Sequence, residues 1–275
     1  MNQLATSFSS RANVLRFDRP LTIREIDSVA PSIFAEGPHE SRSSRYTYIP
    51  TGVVLEGLRK EGFEPFMVCQ ARTRDETRRD FTKHMIRLRH ASQIAGAEVN
   101  EIILVNSHDG TSSYQMLAGV FRFVCHNGLV CGDVVEDLRI PHRGNPVGEV
   151  IEGAYRILDD FERVDAARQE MKAVILTPDE QTAFAKAALA LRYEGEAPVS
   201  AYQVLRPRRA DDAGQDLWST FNVVQERLIR GGQRGTNRTG KRITTRPVTG
   251  IDNNVRLNRA LWVLAGEMAE LKQAA

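Results

Sequence analysis

The spacing of apolar residues changes near Pro146, and this change constrains the fold more than any other feature of the chain. Before Pro146, short runs rich in β-branched and apolar residues are typical of β-strands. The segments that show this pattern are residues 63–71, 82–90, 101–106 and 113–125. The pair Asp109-Gly110 between the last two segments favours a hairpin turn. The first half therefore predicts an antiparallel meander.

After Pro146 the apolar residues recur every three or four positions, as they do along one side of an amphipathic helix. Residues 147–161 show the pattern first, and 216–230 and 255–272 show it again. Between the first two of these ranges, the segment Thr177-Pro178-Asp179-Glu180 is a capping box for a helix that reaches about Arg192. The second half is therefore predicted to be helical.

Together the two patterns predict an α+β fold. We expect a curved antiparallel sheet, a meander with a basic hairpin, in the first half, packed by amphipathic helices from the second half. A single domain over residues 1–275 would then have a sheet-rich part at about 50–135 and a helical part at about 145–275.

Composition excludes some classes of protein. The net charge is only +2 over 275 residues, so no overall field directs the chain to nucleic acid or to a membrane. No run of about 18 apolar residues that could span a membrane occurs. The first residues are polar where a signal peptide would be apolar. The chain has three cysteines, and an odd number does not suit a disulfide framework. We therefore expect a cytoplasmic protein.

A glycine-rich basic segment, residues 231–250, is the strongest local indication of function in the sequence. No acidic residue lies between Glu226 and Asp252, where seven basic residues and five glycines occur. Glycines let a backbone approach phosphates closely, and a guanidinium group can bind two phosphate oxygens at once. We expect a long loop without secondary structure; a merely solvated loop is the alternative. The predicted phosphate contacts are Arg234, Arg238, Lys241, Arg242 and Arg246.

Residues 235–242 nearly match the nucleotide-binding pattern G-x-x-x-x-G-K-[ST]. Arg242 stands where that pattern has the hydroxyl that holds magnesium. The segment before the glycines is a predicted helix, whereas a nucleotide-binding loop follows a strand. We therefore expect no nucleotide cofactor here.

A second basic cluster lies between residues 72 and 89. Alternation along the strand 82–90 places apolar side chains on one face and arginines on the other. Such a basic face can follow a nucleic-acid backbone without reading its sequence; a solvent-facing strand whose charges discourage edge pairing is the alternative. The contacts expected from this cluster are Lys83, Arg87 and Arg89, and the expected stacking platforms for bases are Tyr46 and Tyr48.

Six histidines raise the question of a metal site, for which His108, Asp109 and His126 are the best candidates. Imidazole and carboxylate ligands on a metal could activate water for hydrolysis. However, the paired spacings of zinc sites are missing, and Asp109 is also needed in the predicted turn. We therefore predict no cofactor, no metal and no catalytic residue, with a metal-dependent hydrolase or nuclease as an alternative function.

Several segments together point to one family: SIFAEGPHESRSSRYTYIPT, TKHMIRLRH, EIILVNSHDGTSSYQMLAGVFRFVCHNGLVCG, VIEGAY and GIDNNVRLNRALW. They resemble the YfjQ/YafZ-like proteins, a family of uncharacterised proteins carried by prophages and plasmids. The likeness covers nearly the whole chain. The order of predicted elements is also similar in outline to the β-β-β-α core of single-strand annealing proteins of the RecT and Redβ type. The resemblance implies a mobile-element setting.

These observations predict a mobile-element protein that binds nucleic acid, above all single-stranded DNA, and that anneals or protects strands in recombination. The expected partner is nucleic acid and not a membrane, and assembly into a homo-oligomer stays open. The sequence favours a binding protein over an enzyme. A further alternative is an interaction protein that modulates a host defence or restriction factor.

Overall fold

The computed structural model describes residues 12–43, 46, 48–94, 98–122, 127–131, 138–139 and 146–274. The chain divides into two compact units. The first comprises Met1–Leu129, Val135–Phe161 and Thr249–Ile251, and the second Val130–Val134, Glu162–Val248 and Asp252–Ala275. Apart from Val130, the strands of the sheet therefore belong to a different unit from the core of the basic segment. The expectation of a single domain over residues 1–275 stays a prediction.

The first unit is built on an antiparallel sheet that curls into a half-barrel. Its strands, in spatial order, are β1 (Ala12–Arg16), β2 (Phe63–Ala71), β3 (His84–His90), β4 (Glu98–Asn106), β5 (Gln115–Arg122) and β6 (Asn127–Val130), and β7 (Leu138–Arg139) pairs with β5. Each of the first six strands lies beside its neighbour in sequence, which is the order of a meander. The predicted α+β class with an antiparallel sheet in the first half is confirmed.

Among the described residues, two α-helices lie wholly within the same unit, α1 (Ile23–Val29) and α2 (Thr51–Lys60). Hydrogen bonds fix the start of α2 against the sheet. Thr51 Oγ1 accepts a hydrogen bond from Asn106 Nδ2 at 3.0 Å and lies 3.1 Å from His84 Nε2. Because side chains alternate along a strand, α2 covers the face of β3 that carries the even-numbered residues.

The second unit is mainly helical. Its helices are α4 (Pro178–Arg192), α5 (Ala201–Leu205), α6 (Leu217–Arg230) and α7 (Ile251–Gln273), and α3 (Pro146–Ala173) contributes residues to both units. The predicted capping box is confirmed, since Thr177 Oγ1 accepts from the Glu180 N–H and the Glu180 carboxylate from the Thr177 N–H. Among the described helices, none is long and apolar enough to cross a membrane.

The basic segment of the second unit is not the unstructured loop that the sequence predicted. It forms a hairpin of two short antiparallel strands, β8 (Arg234–Thr236) and β9 (Arg242–Thr244). Two glycines make this possible. Gly240 supplies the left-handed conformation of the turn, with φ of +78°, and Gly235 allows a close backbone contact described below.

Candidate nucleic-acid interface

The β8–β9 hairpin presents an outer face of two arginines and two threonines. Arg234 pairs with Thr244 and Thr236 pairs with Arg242, so the arginines occupy opposite corners of a four-residue patch. All four residues are exposed, whereas Gly235 and Ile243, which point the other way, are half-buried. The outer face thus combines two guanidinium groups with two hydroxyl donors, all of which can bind phosphate oxygens.

The opposite side of the hairpin is fixed to the segment that leads into α5. The Thr236 N–H donates to the Pro198 carbonyl at 2.9 Å, and Gln203 Nε2 donates to the Arg234 carbonyl at 2.8 Å. A Cβ atom at Gly235 would lie only 1.9 Å from the Pro198 oxygen. The hairpin therefore lies closer to this segment than any residue but glycine would allow.

The base of the hairpin is held by a buried polar pair. The Gln233 N–H donates to Thr245 Oγ1 at 3.0 Å, and Thr245 Oγ1 donates to Gln233 Oε1 at 2.7 Å. Gln233 and Thr245 are only 7% and 5% exposed. Because buried polar groups that find their partners specify one geometry, this pair fixes how the two strands leave the helical core.

The turn of the hairpin is organised by Asn237. Its Oδ1 accepts hydrogen bonds from the Thr239 and Lys241 N–H groups at 3.1 and 2.9 Å. The Gly240 N–H donates to the Asn237 carbonyl at 2.9 Å. The turn therefore holds the exposed side chains of Arg238 and Lys241 at the tip of the hairpin.

All five of the basic side chains predicted from the segment are exposed. Within the part of the chain that the structure describes, Arg234, Arg238, Lys241, Arg242 and Arg246 form no ion pair. A groove of about 580 Å³ runs along the hairpin. It is lined by Arg234, Gly235, Thr236, Arg242, Ile243 and Thr244. The structure thus offers a positively charged groove with free donors.

Two arginines that the sequence analysis did not select reach the base of the hairpin. Arg192 Nη2 donates to the Arg246 carbonyl and Arg208 Nη2 to the Gly231 carbonyl, each at 3.3 Å. Burial, together with the charge of the nearby Arg208, lowers the pKa of Arg227. The run Arg206-Pro207-Arg208-Arg209 was a visible signal in the sequence. Only the fold, however, brings it beside the hairpin.

The expectation that Arg87 and Arg89 face solvent is wrong. Their exposed fractions are 2% and 1%, and both point into the curled sheet with Arg16. The three guanidinium groups share one carboxylate, that of Glu101, with N···O distances of 2.9 to 3.1 Å. These two arginines therefore cannot be the phosphate contacts that the sequence suggested.

The arginines are buried because the sheet curls around the face that carries them. Alternation placed them correctly on one face, but that face is the inside of the half-barrel. There Arg89 lies over the Phe66 ring and Arg16 over the Phe121 ring, each 4.1 Å from the centroid. Burial alone would raise the pKa of Glu101, but the surrounding arginines outweigh it and hold that pKa at about 2.

The other residues predicted for this cluster are also placed in the first unit. Lys83 is half-buried and immediately precedes β3. The Tyr46 hydroxyl donates to the Ser107 carbonyl at 2.8 Å, and the Tyr48 hydroxyl donates to the Ala35 carbonyl. The Tyr48 ring also packs against His108, with centroids 4.8 Å apart. Both tyrosine hydroxyls therefore bind backbone of their own unit.

The candidate metal ligands are only partly described. His108 is fully buried, with its ring centroid 5.2 Å from that of His84, and Asp109 Oδ1 accepts from the Thr111 N–H and hydroxyl in the predicted turn. His126 lies outside the described residues. In the described ranges there is no group of three or more His, Cys, Asp or Glu side chains placed to hold a metal ion.

Comparisons with known proteins identify similar chains. The model of the family DUF932, a domain of unknown function, matches residues 38–262. The UPF0380 protein YfjQ of Escherichia coli (strain K12) is 56% identical over 266 residues, which cover 96% of this chain and 97% of YfjQ. The UPF0380 protein YafZ of the same strain is 55% identical with the same coverage. The predicted resemblance is confirmed. No solved structure matches the chain.

Proposed function

The chain belongs to the DUF932 family. We propose that it binds nucleic acid, and that the outer face of the β8–β9 hairpin contacts the phosphates of the bound strand. The observation that carries this proposal is the groove along the hairpin, whose lining includes all four residues of the outer face. Arg234 and Arg242 line it, and in the described residues neither arginine has a carboxylate partner. Phosphate is the ligand that best suits two guanidinium groups flanked by hydroxyl donors.

The groove is suited to a polyanion rather than to a nucleotide cofactor. Arg238, Lys241 and Arg246 extend the positive charge beyond the groove to the tip and the base of the hairpin. A row of exposed cations that forms no ion pair among the described residues can follow a phosphate backbone without reading bases. Strands and a turn surround Gly240-Lys241, whereas a nucleotide-binding loop would continue into a helix.

The wider role in this proposal is that of a cytoplasmic, mobile-element protein that acts on single-stranded DNA during recombination, by annealing or protecting it. Support for this role comes from the basic hairpin and from the order of elements predicted from the sequence, which is similar in outline to that of annealing proteins. A backbone-binding groove suits it because annealing and protection both require binding that does not depend on base sequence.

The test is binding of a labelled oligonucleotide at low ionic strength, measured by fluorescence anisotropy. The double variant Arg234→Gln, Arg242→Gln removes both groove charges, and we expect its affinity to fall about tenfold or more. A matched control, Arg24→Gln with Lys60→Gln, removes two exposed cations of the first unit that have no ion pair among the described residues. It should bind like the parent. A double groove variant that binds as tightly as the parent would contradict the proposal.

A further inference from the structure

The segment that fixes the hairpin also presents the most exposed tyrosine described in the chain. Tyr202 in α5 is 79% exposed, and its neighbour Gln203 donates to the backbone of Arg234. Consecutive Cα atoms lie about 3.8 Å apart, so the tyrosine backbone is adjacent to the residue that contacts β8. We propose that Tyr202 is the stacking platform for an unpaired base of a strand bound at the hairpin.

The position of Tyr202 is fixed by its surroundings. A capping box begins α5, since Ser200 Oγ accepts from the Gln203 N–H and Gln203 Oε1 accepts from the Ser200 N–H at 2.9 Å. The flanking residues Ala201 and Val204 are buried. The backbone at Tyr202 is thus held rigidly while its ring extends into solvent. An exposed ring on an ordered helix that contacts a basic hairpin matches the way single-strand binding proteins combine base stacking with phosphate contacts.

This inference rests on the proposed function and makes it more specific. The bases of a duplex are paired inside the helix, so their faces are not open to a protein ring. A single strand exposes those faces, and every base has one. The ligand class is therefore single-stranded nucleic acid of any sequence, with phosphates on Arg234 and Arg242 and a base on Tyr202. Tyr46 and Tyr48, the platforms expected from sequence, are replaced by this residue.

Two labelled probes of equal length separate stacking from phosphate binding: oligothymidine, and a strand with the same backbone in which every base is absent. Tyr202→Ala should weaken oligothymidine binding about fivefold or more and leave the abasic strand unchanged. Tyr202→Phe keeps the ring and should bind both like the parent. Tyr202→Leu, which is apolar without a π-face, should behave as Tyr202→Ala does.

A spectroscopic readout adds an independent measure. The two natural tryptophans, Trp218 and Trp262, are each only 2% exposed. In Tyr202→Trp, the new indole should therefore supply the signal that oligothymidine quenches and the abasic strand does not.

The outcomes distinguish this inference from the proposed function. If Tyr202→Ala binds oligothymidine as tightly as the parent while the Arg234→Gln, Arg242→Gln variant loses binding, the stacking role is wrong and the proposed function stands. If the parent binds neither probe, both fail.

Discussion

Gly235 and Pro198 lie so close that a Cβ atom at position 235 would be 1.9 Å from the Pro198 carbonyl oxygen. Real Cβ atoms do not approach an oxygen that closely. The glycine that made this segment look like a flexible loop is instead the residue that lets the hairpin pack. The outer face, with Arg234 and Arg242, is held in place as a result of this contact.

We therefore expect Gly235→Ala to displace β8 and to weaken both folding and oligonucleotide binding. Forcing a methyl group into a packed site typically costs about 1–3 kcal/mol, which urea unfolding would measure. Gly266→Ala is the matched control, since a Cβ at this position in α7 would meet no atom within 4 Å apart from its chain neighbours and the backbone of its own helix. That variant should be more stable by about 0.5–1 kcal/mol, because alanine favours helix over glycine. Equal effects of the two substitutions would contradict the close contact.

The turn offers a second prediction. Asn237→Ala removes the side-chain acceptor for the Thr239 and Lys241 N–H groups. We expect amide hydrogen exchange at these two positions to become faster, and oligonucleotide affinity to fall by less than it does in the double groove variant, because Arg234 and Arg242 remain. Exchange rates identical to those of the parent would show that Asn237 does not organise the turn.

A third prediction concerns the buried charges of the half-barrel. Glu101→Gln removes the carboxylate that Arg16, Arg87 and Arg89 share, and loss of a partner from a buried ion pair costs about 3–5 kcal/mol. Glu64→Gln is the control, because the Arg59–Glu64 pair is partly exposed and should contribute about 1 kcal/mol or less. Denaturant unfolding of both variants would measure the difference. Similar stabilities would argue against a charged cluster in the core.

The pH dependence of stability provides a fourth prediction. Burial, assisted by the nearby His108, lowers the pKa of His84 from 6.5 to about 3. The unfolded chain therefore binds a proton at this residue that the folded chain does not, and stability should fall as pH drops below 6.5, by up to about 1.4 kcal/mol per pH unit. His84→Gln should remove this contribution in urea titrations between pH 7 and 5.

Glu101 affects the stability of the fold over a lower pH range than His84 does. Its folded pKa of about 2 lies below the ordinary value of 4.5. The stability it contributes is fully present above pH 4.5 and is lost as pH falls towards 2. In Glu101→Gln this contribution should be absent, so its stability should fall less steeply with decreasing pH in that lower window than the stability of the parent does. A parent whose stability does not change between pH 6.5 and 5 would contradict the role of His84.

Local rules predicted most of the fold. The strand Phe63–Ala71 and the helix Pro178–Arg192 have the bounds that their residue patterns indicated, and the capping box at Thr177 is present. These features depend on residues next to one another in sequence, so alternation, capping and turn chemistry were sufficient to predict them.

The candidate site was predictable only in part. The positive charge of residues 231–250 was visible, and Arg234 and Arg242 are indeed exposed. Alternation could not show whether the arginine face of β3 lies inside or outside the sheet, because that depends on curling and on the distant Glu101. Arg192 was missed for the same reason, since it reaches the base of the hairpin only through the fold. The contact that brings α5 to the hairpin, from Gln203 to the Arg234 carbonyl, was equally invisible in the sequence.

The most direct test of the central claim is the salt dependence of single-strand binding in the parent and in Arg234→Gln, Arg242→Gln. Each phosphate contact releases counterions, so the slope of log K against log salt should become shallower by about 0.7 for each charge removed. We predict this decrease in the groove variant and an unchanged slope in Arg24→Gln, Lys60→Gln. Equal slopes in the parent and the groove variant would show that these arginines do not contact phosphate.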